Sequence, residues 1–120
     1  MLVAVVGDIH GRFFRVEEWV DALEQNLGEP VTMVLAVGDV ETFATPDDHR
    51  RKSTKRNMPA EFAAYALGER RMRREFIFVG GNNEDFEDLE RFPHGGQLVE
   101  NVSYLGRAGV KTLQLSLIHI

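Results

Sequence analysis

The 120-residue chain contains no cysteine, so neither disulfides nor thiolate metal sites are open to it. Any metal would be held by carboxylates, amide oxygens or the four histidines, an oxygen and nitrogen shell that favours Mn, Fe, Mg or Zn. No apolar run approaches the length of a membrane span, and the N-terminus lacks the basic-then-apolar pattern of a signal peptide. The chain therefore reads as cytoplasmic, with no membrane association and no indicated protein partner. Basic residues are in the minority, and a formal net charge of −5 argues against general affinity for nucleic acid. Solenoid repeats, low-complexity tracts and linkers are also missing. What remains is one globular domain with a modest core, at 43% hydrophobic and 28% charged residues.

The charge that is present is unevenly spread. Arg50, Arg51, Lys52, Lys55 and Arg56 form one basic cluster, and Arg70, Arg71, Arg73 and Arg74 another. Two readings stay open for each: a solvated helix face, or a phosphate-binding patch. Acidic residues crowd Glu84 to Glu90, where some favour the dipole of a helix start.

Continuous apolar runs rather than alternating ones mark Leu2–Val6, Val31–Val37 and Glu75–Val79 as strands buried on both faces. Between the first two, Val16, Trp19, Val20, Leu23 and Leu27 give Phe13–Leu27 one apolar helical face, with Glu17, Glu18, Asp21 and Glu24 opposite. Gly28 and Pro30 end that helix. Strand, helix and strand within about forty residues make a βαβ unit with parallel strands. Thr42 to Asn57 reads as a polar, mobile excursion, with a short helix from Asp47. A helix follows from Pro59 with Phe62, Tyr65 and Ala66 inward, ended by Gly68. After the third strand come a short acidic helix over 85–91, a turn at Pro93–Gly96, a strand over Val102–Leu105, a turn at Gly106–Gly109 and a last strand from Val110.

Each of the three main strands runs straight into a loop of unusual chemistry. The first ends Gly7-Asp8-Ile9-His10, and in an extended segment the carboxylate and imidazole would share a face. The second ends Gly38-Asp39, an echo of Gly7-Asp8. The third runs into Gly80-Gly81-Asn82-Asn83-Glu84-Asp85, where two glycines allow a sharp turn that brings Asn82 toward the others. Parallel strands present these ends on one sheet edge, so Asp8, His10 and Asp39 can meet in one crevice as metal ligands. Either Asp alone would read as a loop or helix cap; two of them beside His10 would not. His49 and His94 read as surface or turn residues.

The ordered triple GDIH, GDV and GGNNED resembles the calcineurin-like metallophosphoesterases, which carry Asp-x-His, Gly-Asp and Gly-Asn-His-Glu or -Asp after successive strands. Within them, the run FVGGNNEDFEDLERFPHGGQLVENVSYLGRAGV is similar to a segment of the RNA lariat debranching enzymes. The resemblance implies an α/β fold, the N-terminal half of a two-sheet β-sandwich flanked by helices. It also implies metal-dependent hydrolysis of a phosphoester at a two-metal centre, with Mn, Fe or Zn as the two divalent ions. The substrate would be a phosphodiester in RNA or a small-molecule phosphoester. Asp8 and His10 would hold one metal, Asp39 would bridge both, and Asn82 would give its amide oxygen to the second. A shared carboxylate suits that geometry, and a neutral Asn adds coordination without cancelling charge.

Two departures from the family pattern stand out. Asn83 occupies the catalytic position where the family has a His near the leaving group, and Asn cannot act as a general acid. Debranching enzymes usually lack Asp at the position of Asp8, so there the chain follows the wider superfamily. The family's later Gly-His and Gly-His-x-His are not found, and the final LSLIHI resembles the conceptual translation of a sequencing adapter. The expectation is thus that residues 1–114 form the N-terminal part of a single domain and 115–120 a non-native tail. A truncated chain of this kind would be inactive alone. The rival reading is a non-catalytic or degenerate binding protein of the same fold.

Overall fold

The structure, a computed structural model, describes residues 2–45, 47, 61–81 and 84–106. Strands β1 (Leu2–Val6), β2 (Val31–Val37) and β3 (Glu75–Val79) pair in parallel, as the apolar runs predict. β5 (Val102–Tyr104) adds to β3 in parallel, and β4 (Gly96–Val99) closes the sheet antiparallel to β5. The order is β1-β2-β3-β5-β4. β4 was not predicted: its few residues include a glycine and only two apolar side chains, too little pattern to read without its partner. The segment from Val110, the basic cluster at 50–56 and most of the 42–57 excursion lie outside the described residues.

Helix α1 (Phe13–Leu27) occupies its predicted span, and Gly28 ends it in the left-handed conformation at φ 65°. Its inward face is rotated from the predicted one. Phe13, Val16, Glu17 and Val20 are buried, while Trp19 is 43% and Leu27 60% exposed. The reason is Phe13, whose ring lies 5.4 Å from both Phe62 and Phe76 and 5.6 Å from Tyr65. That contact centres the stripe on Phe13, so the residue one turn on, Glu17, goes inward with it.

Glu17 is tolerated there because its charge is met. The Tyr65 hydroxyl donates to it at 2.6 Å, and the Arg70 guanidinium lies 3.1 Å away. Burial and this carboxylate push the Tyr65 phenol well above its ordinary range. Arg73 and Arg74 bond Asp21, and Arg74 also bonds Glu24. The second basic cluster is therefore neither a helix face nor an open phosphate patch. Arg70, Arg73 and Arg74 lie in an irregular link and fasten it to α1.

Helix α2 (Phe62–Ala66) packs its aromatics on Phe13, and α3 (Phe86–Leu89) is a single turn capped by the Asp85 carboxylate, shorter than predicted. The helices share one core with the rows Ala4–Val34–Phe76–Val102 and Ala36–Phe78–Tyr104 of the sheet. The opposite face was predicted to be buried as well. Among the described residues its row ends stand open, with Val5 58% and Val37 51% exposed. The chain also stays buried beyond β2 through Glu41, Thr42 and Phe43, so the excursion begins later than its polarity suggests.

Candidate metal centre

Three loops leave the sheet at the carboxyl ends of β1, β2 and β3 and are bound to one another. The first runs alongside the second: the amides of Asp8, His10 and Gly11 donate to the carbonyls of Gly38, Asp39 and Val40 at 3.2, 2.9 and 2.9 Å. The two loops have the same shape. Asp8 and His10 have φ 53° and 46°, and Asp39 and Glu41 have φ 51° and 61°. Between each pair an apolar residue, Ile9 or Val40, turns into the core. So Gly7-Asp8-Ile9-His10 is repeated as Gly38-Asp39-Val40-Glu41, two residues further than the echo in the sequence suggests.

Asp8 and His10 do share a crevice, but not by extension. Both are left-handed, which costs a non-glycine residue about 1 kcal/mol or more. Four such residues in two adjacent loops mark a place where geometry is held against local preference. Asp and His tolerate this region better than most residues; Glu does not share that enrichment.

The third loop is clamped to the second by a carboxylate. Glu84 is 5% exposed, and its oxygens accept from the amides of Val40 at 3.1 Å, Glu41 at 2.8 Å and Gly81 at 2.9 Å. Burial pushes the Glu84 carboxyl above its ordinary range, against the opposing pull of those three amides.

One ligand atom each from Asp8, His10 and Asp39 lies within 4.8 Å of the other two. The His10 ring is oriented by Glu41, whose carboxylate receives Nδ1–H at 2.6 Å. With Nδ1 so engaged, Nε2 is the ring nitrogen left to meet a metal. Two carboxylates and one imidazole, partly open to solvent, suit a divalent ion of the Mn, Fe or Zn type. Among the described residues this is the only cluster of its kind. A family model described as calcineurin-like phosphoesterase matches residues 1–119. The chain belongs to that family.

This calcineurin-like phosphoesterase chain is 34% identical over 112 residues to the lariat debranching enzyme of Danio rerio, covering 92% of this chain and 20% of the relative. Against that of Homo sapiens it is 33% identical, covering 92% of this chain and 21% of the relative. Against that of Saccharomyces cerevisiae it is 26% identical, with 90% and 27% covered. The chain thus spans about a fifth of the length of the two vertebrate relatives it matches.

Of the residues that the phosphoesterase pattern points to, Asp8, His10 and Asp39 come together. Asn82 and Asn83 lie outside the described residues, as does His49. His94 is exposed in the turn before β4, as expected. Sequence reasoning missed Glu41 and Glu84. The signal for Glu41 was available in the repeat Gly-Asp-Ile-His and Gly-Asp-Val-Glu. For Glu84 there was none, because one Glu in an acidic stretch cannot be told from its solvated neighbours. Glu41 bonds the His10 ring, and Glu84 binds the backbone of the loops around it. No helix among the described residues is long and apolar enough to cross a membrane.

Proposed function

We propose that the whole protein hydrolyses phosphoester bonds at a two-metal centre, with a phosphodiester of RNA as substrate. The convergence of Asp8, His10 and Asp39 at one sheet edge is the observation that carries this reading. By the family resemblance, Asp8 and His10 would hold one ion, Asp39 would serve both, and Asn82 would lend its amide oxygen to the second. Divalent ions held there would supply Lewis acidity toward a phosphoryl oxygen and lower the pKa of water. Everything else is the work of the chain. Glu41 keeps the His10 proton on Nδ1, and Glu84 ties the second and third loops into one frame. By the same resemblance Asn83 would take the position near the leaving group, where an Asn can stabilise a developing oxyanion by hydrogen bonding but cannot protonate it. The RNA assignment draws on the likeness to lariat debranching enzymes.

Metal content and hydrolysis in the whole protein test this. About two divalent ions per chain are expected from a centre of this type, with metal-dependent cleavage of bis-nitrophenyl phosphate and of branched RNA. Asp39→Ala should lose both ions and essentially all hydrolysis, while Asp8→Ala mainly weakens one ion. Full metal content and activity in Asp39→Ala would sink the two-metal reading. Cleavage of the nitrophenyl ester without any of branched RNA would remove the RNA assignment alone. A protein that binds no metal and cleaves neither ester is the non-catalytic member of the fold.

A further inference from the structure

We infer that Glu41 is a positioning residue of this centre: it selects the tautomer of His10 and aims Nε2 toward Asp8 and Asp39. The inference deepens the proposed function and rests on it for the metal. Its ground is geometric. The Glu41 side chain is fully buried, and its carboxylate meets Nδ1 of His10 at 2.6 Å. A carboxylate on one imidazole nitrogen fixes which nitrogen carries the proton and how the ring is turned.

The backbone supplies a second, independent reason. Glu41 has φ 61°, a conformation that glycine or asparagine would adopt more readily. If position 41 served only the turn, a small residue would serve it better and would need no buried charge. What Glu provides there is the carboxylate. Its own amide is held in place by Glu84 at 2.8 Å, so the support runs from the third loop through Glu84 and Glu41 to His10.

The equivalent position in the first loop is His10 itself. The repeated loop shape therefore puts a left-handed residue at the same place in each strand end, and these two side chains bond each other. Two loops of one shape give one ligand and the group that orients it.

Two readouts on the 120-residue chain test this, with Glu41→Ala and the isosteric Glu41→Gln as variants. Long-range nitrogen–proton NMR of the metal-free protein should show His10 protonated on Nδ1 in the parent chain and in Glu41→Gln, whose amide oxygen can still accept. Glu41→Ala should lose that preference. Calorimetric titration with Mn²⁺ should show affinity reduced about 10–100-fold in Glu41→Ala, with partial recovery in Glu41→Gln. A merely structural Glu41 would alter thermal stability without moving the tautomer, and that outcome overturns the inference. Unchanged tautomer and unchanged Mn²⁺ affinity in Glu41→Ala overturn it equally. If the parent chain takes up no Mn²⁺ while the tautomer responds as stated, the coupling of Glu41 to His10 stands and the metal site proposed for Asp8, His10 and Asp39 in this chain falls.

Discussion

The backbone of Gly81 packs directly on the Asp39 carboxylate: a methyl group on Gly81 would lie 2.5 Å from Oδ1 and 2.4 Å from the Asp39 amide. It would also lie 3.0 Å from the Cα of Gly38. The third loop therefore meets Asp39 through bare backbone, and two of these three contacts are to backbone atoms, which cannot move aside as a side chain can. Gly81→Ala should displace Asp39, cost about 1–3 kcal/mol in overpacking and weaken Mn²⁺ binding in the same variant. Urea unfolding and calorimetric titration measure the two effects. Parent-like values in both would mean that the loops part freely and that their close approach is not a constraint on the site.

Glu84 offers the opposite experiment, in which a clamp is removed. Glu84→Ala leaves the amides of Val40, Glu41 and Gly81 without their shared acceptor. A buried orphan donor costs about 1–3 kcal/mol, so the variant should lose several kcal/mol in urea unfolding. Glu84→Gln keeps one oxygen acceptor and should lose less. If both variants unfold at the parent midpoint, the clamp carries no weight.

Stability should also depend on pH through the link between α1 and β3. Hydrogen bonds from Arg73 and then Arg74 hold the Asp21 carboxyl below its ordinary range, and Arg74 does the same for Glu24, helped by the Val31 amide. Depressed carboxyls stabilise the fold fully above their unfolded values of about 4 and lose that contribution as pH falls through the folded ones. Arg74→Gln removes the partner that both carboxylates share. The variant should be less stable than the parent at neutral pH, and the two should converge in acid below pH 4. A constant difference across that range would mean that Arg74 acts by packing alone.

At the leaving-group position the expected effect is selective. A general acid there contributes on the order of 10²–10⁴-fold when the leaving group is poor and little when it departs unprotonated. With Asn83, the whole protein should show a steep fall in rate from a nitrophenyl diester to an alkyl or ribose diester. Asn83→His should narrow that gap by speeding the poor leaving group alone. Rate constants for one activated and one unactivated diester, in both variants, decide it. An equal change in the two rates, or none, would place Asn83 away from the leaving group.

How far these features can be read from residues alone follows from the range of the forces involved. The spans of β1, α1, β2 and β3 were legible because apolar runs, helical spacing and a terminal glycine act within a few neighbours. So was the meeting of Asp8, His10 and Asp39, since parallel strands must present their carboxyl ends together. Three other things depended on residues far apart in the chain. The inward face of α1 turned to suit Phe62, Tyr65 and Phe76, which buried Glu17 and exposed Trp19. β4 exists only because β5 pairs with it. Glu41 and Glu84 look like surface acids until the loops close around them, because a carboxylate is stable in the interior only where donors from elsewhere converge on it. For Glu41 the described donor is His10, from the first loop; for Glu84 they are amides from its own loop and the second. Local pattern could name the candidate ligands Asp8, His10 and Asp39 and held a trace of Glu41 in the repeated loop, but only tertiary packing could reveal what Glu41 and Glu84 bond.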